Sequence, residues 1–450
     1  MLDKIFQPNQ IRTNKEDLLK WGKDWTEIRP KPSAIVFPEN EEQIIDLVNY
    51  AISDNKKIVP SGGRTGLSGG ATAANGEIVL SFDRMNKIID FNYSDKLVKC
   101  QSGVITADIQ KLALEEGLYY PVDFSSSGSS QIGGNVATNA GGIRVIRYGL
   151  TRNWVSGLRL IDGMGRLMSL NNGLTKNASG YDLRHLVLGS EGTLGLITEV
   201  DMRLTKKPAE QNVILLGLNN SKNLLKCLER FSTNVELSAF EFFSLNCLEK
   251  VRLKHNIIEP FDNDYEYYAL LEFDEENSSK IQDSFEHSLR DQIIEDGVIS
   301  NSLDKANQLW KLRENISESI SSFNPYKNDI SLKISLVPNF LKEIELLINN
   351  LGNKLEICLF GHIGDGNIHL NILKPKEMKN KIFSELTKEI STLVYKKISM
   401  VKGSVSAEHG IGIIKKDFLK YTRTEDEIII MRSIKNIFDP HQILNPGKLF

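Results

Sequence analysis

The chain has 450 residues, more than the roughly 250–300 at which a single hydrophobic core stops growing, so two or three domains are expected. Hydrophobic residues make up 40% and charged residues 25%, and the 33 glycines follow no triplet period, which excludes a disordered or fibrous protein. A formal net charge of −3 leaves no excess of cations to neutralise a nucleic-acid backbone and argues against that class of partner. The start, Met1-Leu-Asp-Lys-Ile-Phe-Gln-Pro, places charges and a proline where a signal peptide needs an apolar core. No stretch reaches the ~18 apolar residues of a membrane span. Cys100, Cys227, Cys247 and Cys358 are too scattered for a metal knuckle or a redox pair, so a cytoplasmic protein with reduced thiols is expected.

In chain order, SAIVF (33–37) has the pattern of a strand, EEQIIDLVNYAIS (41–53) has helical apolar spacing, and KIVPSG (57–62) is again a strand. EIVLSF (77–82), KIIDF (87–91) and LVKCQSG (97–103) follow as short strands, then the helix TADIQKLALEEG (106–117) stops at Gly117. The strands are too crowded for a simple doubly wound sheet. Lys206-Lys-Pro-Ala-Glu is expected to be a linker. Beyond it, NVILLGL (212–218), the helix SKNLLKCLERF (221–231), LSAFEFF (237–243), YEYYALLEF (265–273) and an amphipathic run to about Asp296 predict an antiparallel sheet with helices on one face. The alternation returns with LEICLF (355–360), the turn GHIGDG (361–366), NIHLNIL (367–373) and the helix EMKNKIFSELTKEISTLVYKKI (377–398). There is no internal repeat.

Three glycine-dense stretches interrupt the first 200 residues: PSGGRTGLSGGA (60–71), SSSGSSQIGGNVATNAGG (125–142) and GYDLRHLVLGSEGTLG (180–195). Glycine lets backbone N–H groups approach a ligand closely, and the first two stretches can cradle a phosphate. Neither has the GxGxxG spacing of a nicotinamide site, and no GxxxxGK[ST] phosphate loop occurs. Ser61, Thr65, Ser68, Ser129, Ser130, Asn135, Thr138 and Asn139 add hydroxyl and amide groups suited to phosphate oxygens and to the edge of a flat polar ring, as in a flavin. A single such loop could equally be a tight turn.

Near the C-terminus, His362 and His369 flank a GDG turn, and Asn371 shares a strand face with His369. Glu408 and His409 follow about forty residues later, before Gly410 and Gly412. Two histidines and a glutamate form a known catalytic zinc set with an open position. Spacing alone leaves open whether His369 is a ligand or a satisfied core histidine, and whether Glu408 is a ligand or a solvated acid. Trp310, Arg313 and Ser317 share one face of a predicted helix, and Lys327 follows shortly. On spacing alone these read as an ordinary surface cation and a partly buried tryptophan, and Arg144 and Arg147 are as apt to pair with nearby acids as with a ligand.

Together PSGGRTGLSGGA, GSSQIGGNVATNAGG, NASGYDLRHLVLGSEGTLGLIT, GHIGDGNIHLN, EHGIG and FDPHQILNPGK resemble the FAD-linked oxidase family, with its vanillyl-alcohol-oxidase type of flavin domain, and within it the D-2-hydroxyacid dehydrogenases. The likeness spans nearly the whole chain. It implies an α+β fold: a two-subdomain flavin domain over 30–207, an α+β substrate and metal (cap) domain with an antiparallel sheet over 208–410, and a helical segment over 411–450 that returns to the flavin domain. It implies that FAD is held by Pro60, Ser61, Gly62, Gly63, Arg64, Thr65, Gly66, Ser68 and Gly69. The second loop would add Gly128, Ser129, Ser130, Ile132, Gly133, Gly134, Asn135, Thr138, Asn139, Gly141 and Gly142. Glu191, Gly192, Gly195 and Ile197 would lie at the adenine half, with Asn445 from the tail. Some members of the fold attach flavin to a histidine of the first loop; Arg64 stands near that place here, so non-covalent FAD is expected.

The resemblance further implies that His362, His369 and Glu408 bind a divalent metal, zinc by expectation, that His409 is the catalytic base and that Asn371 contacts substrate. Arg313, Ser317 and Lys327 match positions that bind a distal carboxylate, which ranks D-2-hydroxyglutarate ahead of D-lactate or glycolate. Ser317 departs from the family pattern, which has threonine. No iron–sulfur or haem motif occurs, so electrons must leave to an external acceptor: an electron-transfer flavoprotein, a quinone or an iron–sulfur subunit. A homodimer is compatible with the resemblance. The competing readings are a flavin-binding subunit without turnover and a metal hydrolase.

Overall fold

The first long helix, Glu41–Ser53, shows how local sequence fixes an element: the Asn40 side chain accepts the Gln43 N–H, Glu41 and Glu42 occupy the positive end, and Ile44, Leu47, Val48 and Ala51 recur on one buried face. The computed structural model describes residues 2–351 and 355–450. The chain divides into two units, one of Met1–Gly142, Gly149–Lys207 and Glu408–Phe450, the other of Ile143–Tyr148 and Pro208–Ala407. Among the described residues no helix is long and apolar enough to cross a membrane.

The first unit holds a four-stranded sheet in the order Ile11–Arg12, Ala34–Val36, Ile78–Ser81, Ile58–Ser61, whose last three strands are parallel. A five-stranded antiparallel sheet runs Ile88–Asn92, Leu97–Gln101, Leu196–Arg203, Val155–Ile161, Leu167–Leu170. Each sheet has its own apolar core, with Val36, Leu47, Ile58 and Leu80 in one and Val98, Ile109, Leu160 and Val200 in the other. The first glycine loop leaves the carboxyl end of a parallel strand, the end at which open α/β sheets present their loops to ligands.

The second unit is built on a seven-stranded, fully antiparallel sheet in the order Asp296–Ile299, Gln211–Leu218, Tyr267–Asp274, Leu237–Ser244, Glu356–His362, Asn367–Leu373, Tyr326–Ser331. Helices cover both of its faces, where the sequence predicted one. Val213, Leu215, Ala239, Phe243 and Leu270 pack with Cys247, Leu248, Leu309 and Trp310 of the helices Leu245–Lys254 and Leu303–Glu314. On the other face Phe285, from the helix Ser278–Arg290, meets Gly297 beside Leu216. Every position of Leu237–Ser244 and Tyr267–Asp274 is buried, which requires cover on both sides. The helix predicted to carry Trp310, Arg313 and Ser317 together breaks at Asn315, whose N–H closes the first helix on the Lys311 carbonyl and whose own carbonyl accepts the Ser319 N–H of the next, Ile316–Ser321.

The C-terminal tail anchors the first unit through two buried lysines. Lys435 Nζ bonds the Thr193 and Leu444 carbonyls and Asp439 Oδ2 at 2.6–3.0 Å, and Lys448 Nζ bonds the Thr72 carbonyl at 2.9 Å. Burial pushes the Lys448 ammonium from its ordinary 10.5 to about 8. Between those values the unfolded chain holds a proton that the folded chain lacks, so this group makes stability rise with pH across that window. In Lys448→Met that contribution disappears: the stability difference between native protein and variant, measured by denaturant unfolding, should grow in favour of the native protein from pH 7 to pH 10. A difference that stays flat would contradict the burial argument.

A candidate active site built from a sheet face and a glycine-lined cleft

Antiparallel register decides which side chains of the second unit meet. Glu241 pairs with His362, and His362 with Asn367. Phe360 pairs with His369, and His369 with Asp329; Cys358 pairs with Asn371, and Asn371 with Lys327. Paired residues lie on the same side of a sheet, so four strands bring Glu241, His362, His369, Asp329, Asn371 and Lys327 to one face. The hairpin joining the two histidine strands depends on Gly366, at φ +79°, where an added Cβ would sit 2.0 Å from the Leu332 carbonyl oxygen.

His362 and His369 are both buried, with ring centroids 5.4 Å apart and planes at 82°. His362 Nδ1 is 2.5 Å from Glu241 Oε1. A carboxylate only accepts, so Nδ1 carries the proton and the lone pair lies on Nε2. Asp329 lies behind His369, with Oδ1 3.5 Å from Nδ1, and also takes Asn367 Nδ2 at 2.9 Å and the Ala407 N–H at 3.1 Å. Asp329 and His369 present ligand atoms within 4.8 Å of one another, a spacing that could serve a metal ion. Burial pushes the nearby Asp365 carboxyl up to about 6, against the pull of His362 and the Asn367 N–H.

Arg313 is buried on the same side. Its Nε lies 2.8 Å from Glu241 Oε2, close but off the line of a hydrogen bond, and its guanidinium sits 4.7 Å over the Phe360 ring. Lys327 reaches solvent, yet crowding by protein atoms holds its ammonium below the usual value. Asn371 is buried, with Nδ2 3.4 Å from the His369 carbonyl. Ser317 is exposed on the helix beyond the break, while Ser319 is the buried hydroxyl of that helix. Arg144 and Arg147 pair with the buried carboxylates Glu272 and Asp274 at 2.7–3.0 Å. Neither Glu241 nor Asp329 belongs to a recognisable motif; a lone acid in an apolar strand such as LSAFEFF is the one signal that marks Glu241.

In the first unit a cleft is lined by the two predicted loops. Pro60, Ser61, Gly62, Gly63, Arg64, Thr65, Gly66 and Ser68 line it, with Gly133, Gly134, Asn135, Thr138, Glu191, Gly192, Gly195, Ile197 and Asn445. Gly69, Gly128, Ser129, Ser130, Ile132, Asn139, Gly141 and Gly142 are not in the lining; among them the Ser130 carbonyl accepts from Thr106 Oγ1 of the helix Thr106–Glu115, and Ile132 is core. Asp24, Gly70, Ala71, Phe82, Gln131, Ala137 and His409 complete the wall. Ser61 Oγ, Gln131 Oε1 and Asn445 Oδ1 are buried there without a hydrogen-bond partner, and a Cβ on Gly134 would meet nothing within 4 Å. Orphaned polar atoms around open space fit a bound polar group such as FAD.

The Glu191 carboxylate, expected at the adenine half, is engaged by the chain's own backbone. It accepts the Ile411 and Gly412 N–H groups at 2.7 and 2.8 Å, holding the Glu408–Gly412 turn. Gly412, at φ +51°, has no room for a Cβ, which would lie 2.1 Å from the Ser68 carbonyl oxygen. Ser68 Oγ bonds the His409 carbonyl at 2.8 Å, so His409 belongs to the cleft wall. Its Nε2 is 3.8 Å from Glu408 Oε1, a second pair of candidate ligand atoms. Arg64, at φ +61°, is tied to Asp83 together with Trp21 and Gln131.

The model of FAD linked oxidases, C-terminal domain, matches residues 207–449, and an FAD binding domain model matches 32–171. A D-2-hydroxyglutarate dehydrogenase of Stutzerimonas stutzeri (strain A1501) is 48% identical over 453 residues, covering 100% of this chain and 98% of that protein. A D-2-hydroxyglutarate dehydrogenase of Xanthomonas citri pv. viticola is 47% identical, covering 98% and 94%. A crystal structure of p-cresol methylhydroxylase with substrate bound shares the fold, with a TM-score of 0.75 at 13% identity, covering 100% of this chain and 95% of that one. With the family model spanning more than half of the chain and such relatives aligned over nearly all of it, this protein belongs to the FAD-linked oxidases.

Proposed function

We propose that this chain oxidises D-2-hydroxyglutarate to 2-oxoglutarate, with FAD in the glycine-lined cleft and a divalent metal at the histidine pair. The observation that carries the reading is the sheet face that sets His362 and His369 5.4 Å apart beside the buried Arg313, in a chain 48% identical to a D-2-hydroxyglutarate dehydrogenase. His362, His369 and Glu408 would hold the ion; Glu408 directly follows Ala407, whose N–H is fixed on Asp329. The imidazole and carboxylate donors suit zinc and tolerate other divalent ions. Held there, a metal would supply the Lewis acidity that lowers a hydroxyl pKa, as it does that of water from about 15.7 to ~7, and FAD in the cleft would supply the hydride acceptor.

The chain's own groups do the rest. His409, on the cleft wall, takes the hydroxyl proton. Asn371 orients the substrate, and Arg313 with Lys327 pairs with the distal carboxylate, a contact that lactate and glycolate cannot make. The orphaned Ser61, Gln131 and Asn445 atoms disfavour a metal hydrolase, which would leave them without purpose. With no iron–sulfur or haem motif in the chain, the electrons of a reduced flavin would have to leave to an external acceptor.

Anaerobic mixing with D-2-hydroxyglutarate should bleach the flavin band, and prior EDTA treatment should abolish the bleaching; bleaching by L-enantiomers alone, or indifference to EDTA, would refute the reading. His369→Ala should lose turnover yet keep FAD, and flavin loss without a change in metal content would contradict the ligand role. Arg313→Ala should lower kcat/KM for D-2-hydroxyglutarate by about 10–100-fold, the worth of a hydrogen bond to a charged group at about 1.5–3 kcal/mol. D-lactate should be little affected; equal losses would remove Arg313 from the distal site. Among the described residues lining the cleft, His409 is the one histidine, and neither cysteine nor tyrosine is present. Acid precipitation should therefore release FAD into the supernatant, and flavin retained in the pellet would show a covalent bond.

A further inference from the structure

We infer that Glu241 is a positioning residue that fixes both the metal-binding imidazole and the substrate-binding guanidinium, and so sets the spacing between them; this rests on the function proposed above. Glu241 is fully buried on the strand Leu237–Ser244, and its two oxygens are divided between two partners: Oε1 lies 2.5 Å from His362 Nδ1, and Oε2 lies 2.8 Å from Arg313 Nε. The first contact holds the proton on Nδ1 and turns Nε2 toward the ligand position, as carboxylates behind metal-binding histidines do. The second contact, with the Phe360 ring under the guanidinium, leaves Arg313 little freedom to move along the sheet. One carboxylate thus spans the group that would hold the metal and the group that would hold the distal carboxylate. A substrate with two carboxylates must match that span, and one with a single carboxylate need not.

The buried Glu272 provides a comparison on the same face. It pairs with Arg144 at 2.7 and 3.0 Å and accepts from Trp310 Nε1 at 3.2 Å, but touches neither histidine. In the full-length holoenzyme, Glu241→Gln should lower zinc affinity by about 10–100-fold in competition with a fluorescent chelator. It should also lower the ratio of kcat/KM for D-2-hydroxyglutarate over D-lactate by at least about tenfold. Glu272→Gln should lower thermal stability and leave zinc affinity unchanged. Should Glu241→Gln fail to fold, Glu241→Asp keeps the charge but is one methylene too short to span both partners, and the same loss of zinc affinity is expected of it. Native zinc affinity and an unchanged substrate ratio in a folded Glu241 variant would overturn the positioning role. Native protein that binds zinc but prefers another substrate would overturn the function proposed above while the affinity comparison still decides the role of Glu241; native protein that binds no zinc would overturn both.

Discussion

The two-residue period of an antiparallel sheet is the constraint on which the site depends. Because each strand turns alternate side chains to the same face, the pairing Glu241–His362 and the chain of pairs Phe360–His369–Asp329 fix which groups can meet. A slip of one residue in the Asn367–Leu373 strand would turn His369 and Asn371 to the opposite face and bring Ile368, Leu370 and Ile372 in their place. The apolar alternation that buries those isoleucines and leucines is therefore also what aims the imidazoles.

That face carries more charge than a core ordinarily tolerates. Glu241, Glu272, Asp274 and Asp329 are all buried, and buried carboxylates demand partners. Arg313, Arg144 and Arg147 pair with three of them, and the imidazoles, the Asn367 amide and the Ala407 N–H engage Glu241 and Asp329. Removing one member of such a network leaves a charge stranded in low dielectric, so the network resists repacking and holds its geometry. The positions of His362 and Arg313 are in this sense set by carboxylates that need not touch a substrate.

The flavin unit follows a different logic. Its cleft is made of loops, and loops hold a shape only when something ties them. Here the ties come from the C-terminal tail: the Glu191 carboxylate takes two N–H groups of the Glu408–Gly412 turn, Asn445 Nδ2 bonds the Gly70 and Glu191 carbonyls, and Lys448 bonds the Thr72 carbonyl. What those ties leave unpaired, at Ser61, Gln131 and Asn445, faces the cleft. Glu191 thus acts first as a clamp on the turn that carries His409.

Local pattern determined much of this protein without the fold. The apolar spacing of 41–53 and 106–115, the alternation in 212–218 and 367–373, and the glycine density of 60–71 and 128–142 are visible in the chain because hydrophobic period and backbone freedom are local properties. The approach of His362 to His369 is legible too, since both flank one tight turn. Tertiary structure alone decided which partners stand behind them. Glu241 lies 121 residues from His362, and Asp329 lies 40 from His369, so only strand order and register could bring them together. It also decided that helices cover both faces of the seven-stranded sheet and that a helix breaks at Asn315, because both depend on what packs against an element and not on the element itself.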